Sequence, residues 1–339
     1  MVRRVEAGRP RAGGITIYDV ARVAGVSYGT VSRVLNGRPV GSASRKAVER
    51  ALTSTGYVPN PHARRLAGAR PETVAFLHCV PGGRVLADPN VNTLLLDCLR
   101  ALGDQDIMMV APVAGDGPAD AVTRTLAARL DDPVLLFSAP RASTAVEDLV
   151  HRQIPVVACG IPLGHERRVS YVTGDDRDGA RQIVAYLRSR GRRRIATVTG
   201  PMDLSGGVQR LAGYRDAVDT FDPALVVHGD YTYASGVAAA ERLLRQVPDL
   251  DAIFAASDMM AAGVLAALQR AGRRVPEDIA VTGYDDAPIA TSTRPQLTTV
   301  RIPWHRFASQ LTGQLLRRLD GDDPSGIVMP VELTIRGST

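Results

Sequence analysis

Apolar positions divide the chain at about residue 70. Before that point they recur at helical spacing. After it they come as short continuous runs separated by amphipathic stretches. In the first part, a helix over about 17–24 puts Val20, Ala21 and Ala24 on one face. Thr16 precedes it as a cap with Asp19 at the capping-box position, and Gly25 ends it. A second helix over about 28–35 starts from Ser27, turns Val31, Val34 and Leu35 inward, and breaks at Asn36-Gly37. A third begins at Ser42 or Ser44, carries Ala47, Val48, Ala51 and Leu52 as its stripe, and stops at Gly56.

The second part reads as alternating strand and helix. Strands are expected at 73–80, 106–111, 133–138, 155–159, 194–199, 224–228, 252–256 and 278–283, and a last one at 331–335. Helices are expected at about 92–103, 118–130, 143–152, 177–190, 207–219, 234–246, 259–271 and 304–319. Continuous apolar strands alternating with amphipathic helices predict parallel sheets covered on both faces. A stretch of this length exceeds one small doubly wound sheet, so two lobes are expected. The predicted organisation is a disordered basic arm (1–13), an all-α head (14–57), a hinge and linker (58–70) and a two-lobed α/β body (71–339). The lobes are expected at about 71–171 plus 303–326, and about 172–302 plus 327–339.

Charge sharpens this division. The net charge of +6 is unevenly spread. Residues 1–70 hold thirteen basic and three acidic side chains, a net +10, so the remaining 269 residues carry −4. A basic head on a mildly acidic body points to a polyanionic partner, against the plainer reading of a solubilising arm. The tight turn at Gly25-Val26-Ser27 between the first two helices gives the head the form of a helix-turn-helix, whose second helix fits a DNA major groove. By spacing alone, an unrelated three-helix cap remains open. The longest nearly apolar stretch, 154–163, carries two prolines and is too short for a bilayer. The N-terminus lacks an apolar run behind its arginines, so no secretory signal is read. Cys79, Cys98 and Cys159 are too few and too scattered for a disulfide framework. A reduced, cytoplasmic protein without a membrane segment is expected.

Catalytic chemistry finds no support in the spacing. The chain has no nucleophile elbow, no glycine-rich dinucleotide loop after a strand, no P-loop and no paired-histidine metalloprotease helix. His62, His78, His151, His165, His228 and His305 lack metal-ligand spacing. Asp285 and Asp286 are adjacent, and neighbouring acids on an extended segment diverge. The expectation is a binding protein: no enzyme, no metal, no cofactor.

The string TIYDVARVAGVSYGTVSRVLNG (16–37), the segment VPNPHARRLAG (58–68) and several body motifs resemble the lactose-repressor (LacI/GalR) family of bacterial transcription regulators. The body motifs are GDDRDGARQIVAYL (174–187), QRLAGYRDAV (209–218), GDYTYASG (229–236), ASDMMAAG (256–263), VPEDIAVTGYDD (275–286) and PQLTTVRIP (295–303). The resemblance runs from Ile15 onward. It implies a helix-turn-helix head joined to a body with the two-lobed fold of periplasmic sugar-binding proteins, and an effector held in the cleft between lobes. It also implies a DNA surface formed by Ser27, Tyr28, Gly29, Thr30, Ser32, Arg33 and Asn36. Tyr28 and Gly29 would read bases, Thr30 and Ser32 would bond phosphates, and Arg33 would reach O6 and N7 of a guanine. Gly29 departs from relatives that carry a side chain there, so readout at that step is expected to be looser or shape-based. The hinge residues Asn60, Ala63, Arg64 and Leu66 would form a helix in the minor groove, with Leu66 as an apolar wedge between base pairs.

In the body, the resemblance implies effector contacts from Asp175, Arg210, Tyr231, Ser257, Asp258 and Asp285. Asp258 also fits a helix cap, the favoured reading, and Arg210 with Asp285 also fits a structural ion pair. Where relatives carry an aromatic after the first strand, this chain has ADPNVN (87–92), so a less apolar wall is expected there, with ring stacking on that lobe left open and a wider range of effectors allowed. The reading that results is a ligand-responsive, sequence-specific transcriptional regulator, a repressor by preference. Its partners would be a near-palindromic duplex operator, a carbohydrate or nucleoside effector and a second copy of itself. No heptad pattern follows the last strand, which favours a dimer. The alternative is a cytoplasmic solute-binding protein whose basic head binds DNA non-specifically.

Overall fold

The computed structural model describes residues 15–35, 39–57, 71–79, 89–111, 127–128, 130–141 and 143–339. The arm, Asn36, the hinge residues Asn60, Ala63, Arg64 and Leu66, and most of the helix expected over 118–130 lie outside the described residues. The chain divides into two compact units, Met1–Pro71 and Glu72–Thr339.

The head contains α1 (Ile17–Ala24), α2 (Tyr28–Leu35) and α3 (Ser42–Thr55). The Asp19 carboxylate accepts from Thr16 N at 3.0 Å and from Thr16 Oγ1 at 2.7 Å, which fixes the start of α1. Gly25 ends it with φ 65°, a left-handed backbone that costs glycine nothing. Thr30 N donates to Ser27 Oγ at 3.2 Å, so Ser27 caps the second helix. Val20, Ala21, Val31, Val48 and Ala51 close a small core among the three helices.

The body is built on two parallel sheets. The first lobe holds β1 (Thr73–His78), β2 (Met108–Val110), β3 (Val134–Phe137), β4 (Val156–Cys159), β5 (Ser170–Gly174) and β11 (Gly326–Met329), in the order β11-β5-β4-β3-β1-β2. Its helices are α4 (Pro89–Gly103), α5 (Thr144–His151) and the long α11 (Trp304–Leu319), which packs against α4 and the strands. In the second lobe, β6 (Ile195–Thr199), β7 (Val226–His228), β8 (Ala252–Ala255) and β9 (Ala280–Thr282) run in the order β7-β6-β8-β9. They carry α6 (Asp176–Ser189), α7 (Ser205–Ala217), α8 (Tyr233–Gln246), α9 (Asp258–Arg270) and the short α10 (Ile289–Ser292). Among the described residues, no helix is long and apolar enough to cross a membrane.

The chain passes between lobes just after β5, just after β10 (Thr299–Arg301) and between β11 and β12 (Glu332–Thr334). β10 and β12 pair antiparallel, Val300 opposite Leu333, as a two-stranded ribbon at the lobe junction. The first sheet keeps the chain through Gly174 and Met329, slightly past the expected limits of 171 and 326. β5 and β11 were not expected. The SYVTG of β5 is half polar yet buried, its Ser170 Oγ accepting from Ser325 N at 3.1 Å. β11 is a short edge strand with little apolar alternation.

Candidate functional site

A cavity of about 340 Å³ opens between the two lobes of the body, at the low end of the roughly 300–1,000 Å³ usual for small-molecule sites. Its centre is Arg210, on the buried side of α7. Arg210 Nε donates to Asp176 Oδ1 at 2.9 Å, Nη2 lies 3.1 Å from Asp285 Oδ1, and Nη1 donates to the Ala256 carbonyl at 2.7 Å. The guanidinium carbon stands 3.8 Å from the centre of the Tyr284 ring and 5.9 Å from that of Tyr231. Burial opposes the charge on Arg210, but Asp176 and Asp285 outweigh it and hold the group above its ordinary range. Burial likewise raises the Tyr231 phenol, which therefore stays a neutral donor.

The backbone is strained where it presents these groups. Tyr231 has φ 67° and Asp285 φ 104°, left-handed values that cost a non-glycine residue on the order of 1–3 kcal/mol. Both side chains reach the cavity from such positions.

Among the expected effector residues, Arg210, Tyr231, Ser257, Asp258 and Asp285 line the cavity, but Asp175 does not. Asp175 caps α6, accepting from Asp178 N at 3.0 Å. Its neighbour Asp176, one step further into the lobe crossing, is the acid that faces Arg210. Asp258 is not the helix cap that the sequence favoured. Ser257 takes that role, accepting from Met260 N at 3.2 Å. The Asp258 carboxylate is fully buried and accepts from Thr299 Oγ1 and Ala287 N, both at 2.7 Å. Burial raises it to about 7, against the pull of those two hydrogen bonds.

Residues 80–88, which include the start of the segment expected to form a less apolar wall, lie outside the described residues, and Asn90 of that segment lines the cavity; rings reach the first-lobe wall from elsewhere. His78 and Phe137 stack with centroids 5.0 Å apart, and both line the cavity with Trp304 and Phe307. These rings come from the ends of β1 and β3 and from the start of α11, not from residues 87–92. Burial lowers His78 to about 4, so its imidazole is neutral at neutral pH. Among the described residues, no group of His, Cys, Asp and Glu could hold a metal ion.

In the head, Ser27, Tyr28, Gly29 and Arg33 are exposed along one side of the turn and α2, while Thr30 and Ser32 are half-buried. Tyr18 of α1 stacks on Tyr28, centroids 5.1 Å apart and planes 19° from parallel. Tyr18 is 68% exposed, an apolar ring beside the expected base-reading surface that the sequence reading passed over. Its position, on the exposed face of an otherwise regular amphipathic helix, was the available signal.

Residues 16–60 match the profile of bacterial regulatory proteins of the lacI family, and residues 184–339 match that of a periplasmic binding protein-like domain. The HTH-type transcriptional regulator CelR of Thermobifida fusca is 40% identical over 95% of this chain and 98% of its own length. Catabolite control protein A of Priestia megaterium is 31% identical over 96% of this chain and 99% of its own. A solved transcriptional regulator CelR–cellobiose complex superposes with a TM-score of 0.75 at 39% identity, covering 96% of this chain and all of that one. The chain belongs to the lacI family of bacterial regulatory proteins and is a DNA-binding transcriptional regulator, not an enzyme.

Proposed function

We propose that this regulator is a homodimeric repressor, acting in the cytoplasm on a near-palindromic operator and released by a neutral oligosaccharide of disaccharide size, cellobiose first. One observation carries the ligand class: the cleft's arginine is already neutralised. Arg210 spends its three nitrogens on Asp176, Asp285 and a carbonyl. With Asp230 beside them, the charged groups among the described lining residues leave the cavity acidic. Such a site disfavours a phosphorylated sugar and suits hydroxyls, which can donate to the carboxylates and stack their ring faces on Tyr231, Phe137 and Trp304. The relative whose solved complex contains cellobiose supports the choice of probe.

Support for a dimer comes from the first lobe. β2 is an edge strand whose Met108 and Val110 are exposed, and Leu96 and Leu99 of α4 are exposed with them. An apolar helix face and a strand that stands at the sheet edge among the described residues together invite a second copy. Two heads then read two half-sites, as two-fold symmetry requires. In this reading Asp176, Arg210, Tyr231 and Asp285 hold the effector, with Ser257 at the cavity wall. Asp175 and Asp258 support the cleft without touching the ligand. Ser27, Tyr28, Gly29, Thr30, Ser32, Arg33 and Asn36 face the operator, joined by Asn60, Ala63, Arg64 and Leu66 of the hinge.

The test is a band-shift titration of the full protein on DNA upstream of its own and neighbouring genes, against random competitor, with cellobiose, glucose, glucose 6-phosphate and a nucleoside added in turn. Release by cellobiose alone supports the reading. Release by the phosphorylated sugar or the nucleoside overturns the ligand class, and a shift erased by competitor overturns specific regulation.

A further inference from the structure

Asp285 and Asp286 stand side by side, both with left-handed backbone, φ 104° and φ 55°. Their side chains go opposite ways. Asp285 meets Arg210 in the cleft. Asp286 lines no part of the cavity. Its Oδ2 accepts from Arg301 Nε at 2.7 Å, and its Oδ1 lies 2.5 Å from Arg336 Nη2. Arg301 ends β10, which carries the chain from the second lobe to the first. Arg336 follows β12, which brings it back. Arg336 Nη1 also donates to the Leu297 carbonyl at 2.8 Å. Below the side chains, Asp285 N donates to the Val300 carbonyl at 2.8 Å. Ile302 and Trp304, next along the same crossing segment, line the cavity.

We infer that Asp286 is a positioning residue for the effector response: it ties the turn carrying Asp285 to both strands of the lobe-crossing ribbon. A ligand that accepts a hydrogen bond from Arg210 and donates one to Asp285 displaces a carboxylate held in strained backbone. The turn cannot absorb that displacement locally, because Asp286 is clamped on two guanidinium groups and is only 11% exposed. The shift passes to Arg301 and Arg336, on the segments that set the angle between lobes. Asp286 therefore acts on coupling and not on affinity, a separation that linkage permits. The inference rests on the proposed effector reading for its second arm only.

Two measurements on the full-length protein test it, using Asp286→Asn, Asp286→Glu and Arg301→Ala. Arg301 is half exposed, so Arg301→Ala is expected to keep the wild-type fold, checked by its far-UV circular dichroism. Without ligand, hydrogen exchange of peptides covering 284–287 and 299–303 is expected to quicken about tenfold in Asp286→Asn and Arg301→Ala, with β6 and β8 unchanged and Asp286→Glu close to wild type. Unchanged exchange in both variants overturns the inference whatever the effector is. With cellobiose, the ligand-induced change in operator affinity is expected to fall at least about threefold in the same variants, while cellobiose affinity stays within about threefold of wild type. Equal loss of affinity and response overturns it, because Asp286 would then belong to the binding site. A wild-type protein indifferent to cellobiose counts against the proposed effector and leaves the exchange measurement to decide Asp286.

Discussion

Arg210 and Asp285 meet at 3.1 Å inside the cleft, with Asp176 on the other side of the same guanidinium at 2.9 Å. Side chains of Arg210 and Asp176 are both more than nine-tenths buried. Such a triad contributes less to stability than its geometry suggests, because three ions lose water to form it. Removing one member is another matter. Arg210→Ala leaves two buried carboxylates facing each other and is expected to destabilise the body by about 3–5 kcal/mol, read by urea denaturation. Arg210→Lys keeps the charge but not the fork, so it should fold better than Arg210→Ala and still fail to respond to ligand. Equal stability of Arg210→Ala and wild type would show the triad to be open to water.

Asp258 predicts a pH dependence. Its carboxyl is raised to about 7 by burial, from an ordinary 3.8. Between those values the folded protein holds a proton that the unfolded chain has released. The folded state thus binds more protons, and this group's contribution to stability falls as pH rises through that window, then levels off above about 7. Asp258→Asn has no such term. Its amide can donate to Thr299 Oγ1 and its carbonyl can accept from Ala287 N, replacing both hydrogen bonds. Denaturation of wild type and Asp258→Asn from pH 4 to 8 should show wild type losing ground to the variant, by up to about 1.4 kcal/mol per pH unit at the steepest. Parallel curves would contradict the raised carboxyl.

Much of this was legible in the sequence, for physical reasons that differ by region. The head was read almost residue by residue, because Thr16, Asp19, Gly25, Ser27 and Gly56 are caps whose chemistry marks helix ends directly. The body's central strands were read because burial on both faces writes itself as unbroken apolar runs. β5 escaped because its buried Ser170 satisfies its hydroxyl internally and so looks like a surface residue. Asp176 escaped because adjacent acids at a lobe crossing cannot be ranked by periodicity. Only the backbone path decides which one caps a helix and which one faces Arg210. The aromatic wall escaped because Phe137 and Trp304 lie far apart in sequence and come to one cavity only through the fold of the first lobe.

Gly29 offers a specificity test in the head. A Cβ at this position would meet nothing closer than Ser27 Oγ at 3.8 Å, ordinary contact. A side chain can therefore be added without disturbing α2. Gly29→Gln is expected to leave thermal stability unchanged and to shift base preference at one step of each half-site, measured by selection from randomised operators. Arg33→Ala is expected to cost about 1–3 kcal/mol on the preferred operator and much less on random DNA, flattening preference at one position. Loss of equal size on both DNAs would make Arg33 a phosphate contact.

Gly200 and Tyr231 give the cleft its last test. A Cβ built on Gly200 would lie 2.1 Å from Cζ of the Tyr231 ring, and one on Gly206 would lie 2.9 Å from its hydroxyl. The ring is thus seated on two glycines, and its own φ of 67° leaves little backbone freedom to retreat. Gly200→Ala must displace the ring while Asp176, Arg210 and Asp285 keep their own side chains. Cellobiose affinity is expected to fall about tenfold or more by calorimetry, with operator affinity in the absence of ligand unchanged. Tyr231→Phe, which keeps the ring and its seat, separates stacking from hydrogen bonding: a small loss assigns the contact to the ring face, and a loss matching Gly200→Ala assigns it to the hydroxyl. Unchanged affinity in Gly200→Ala would mean that Tyr231 does not touch the effector.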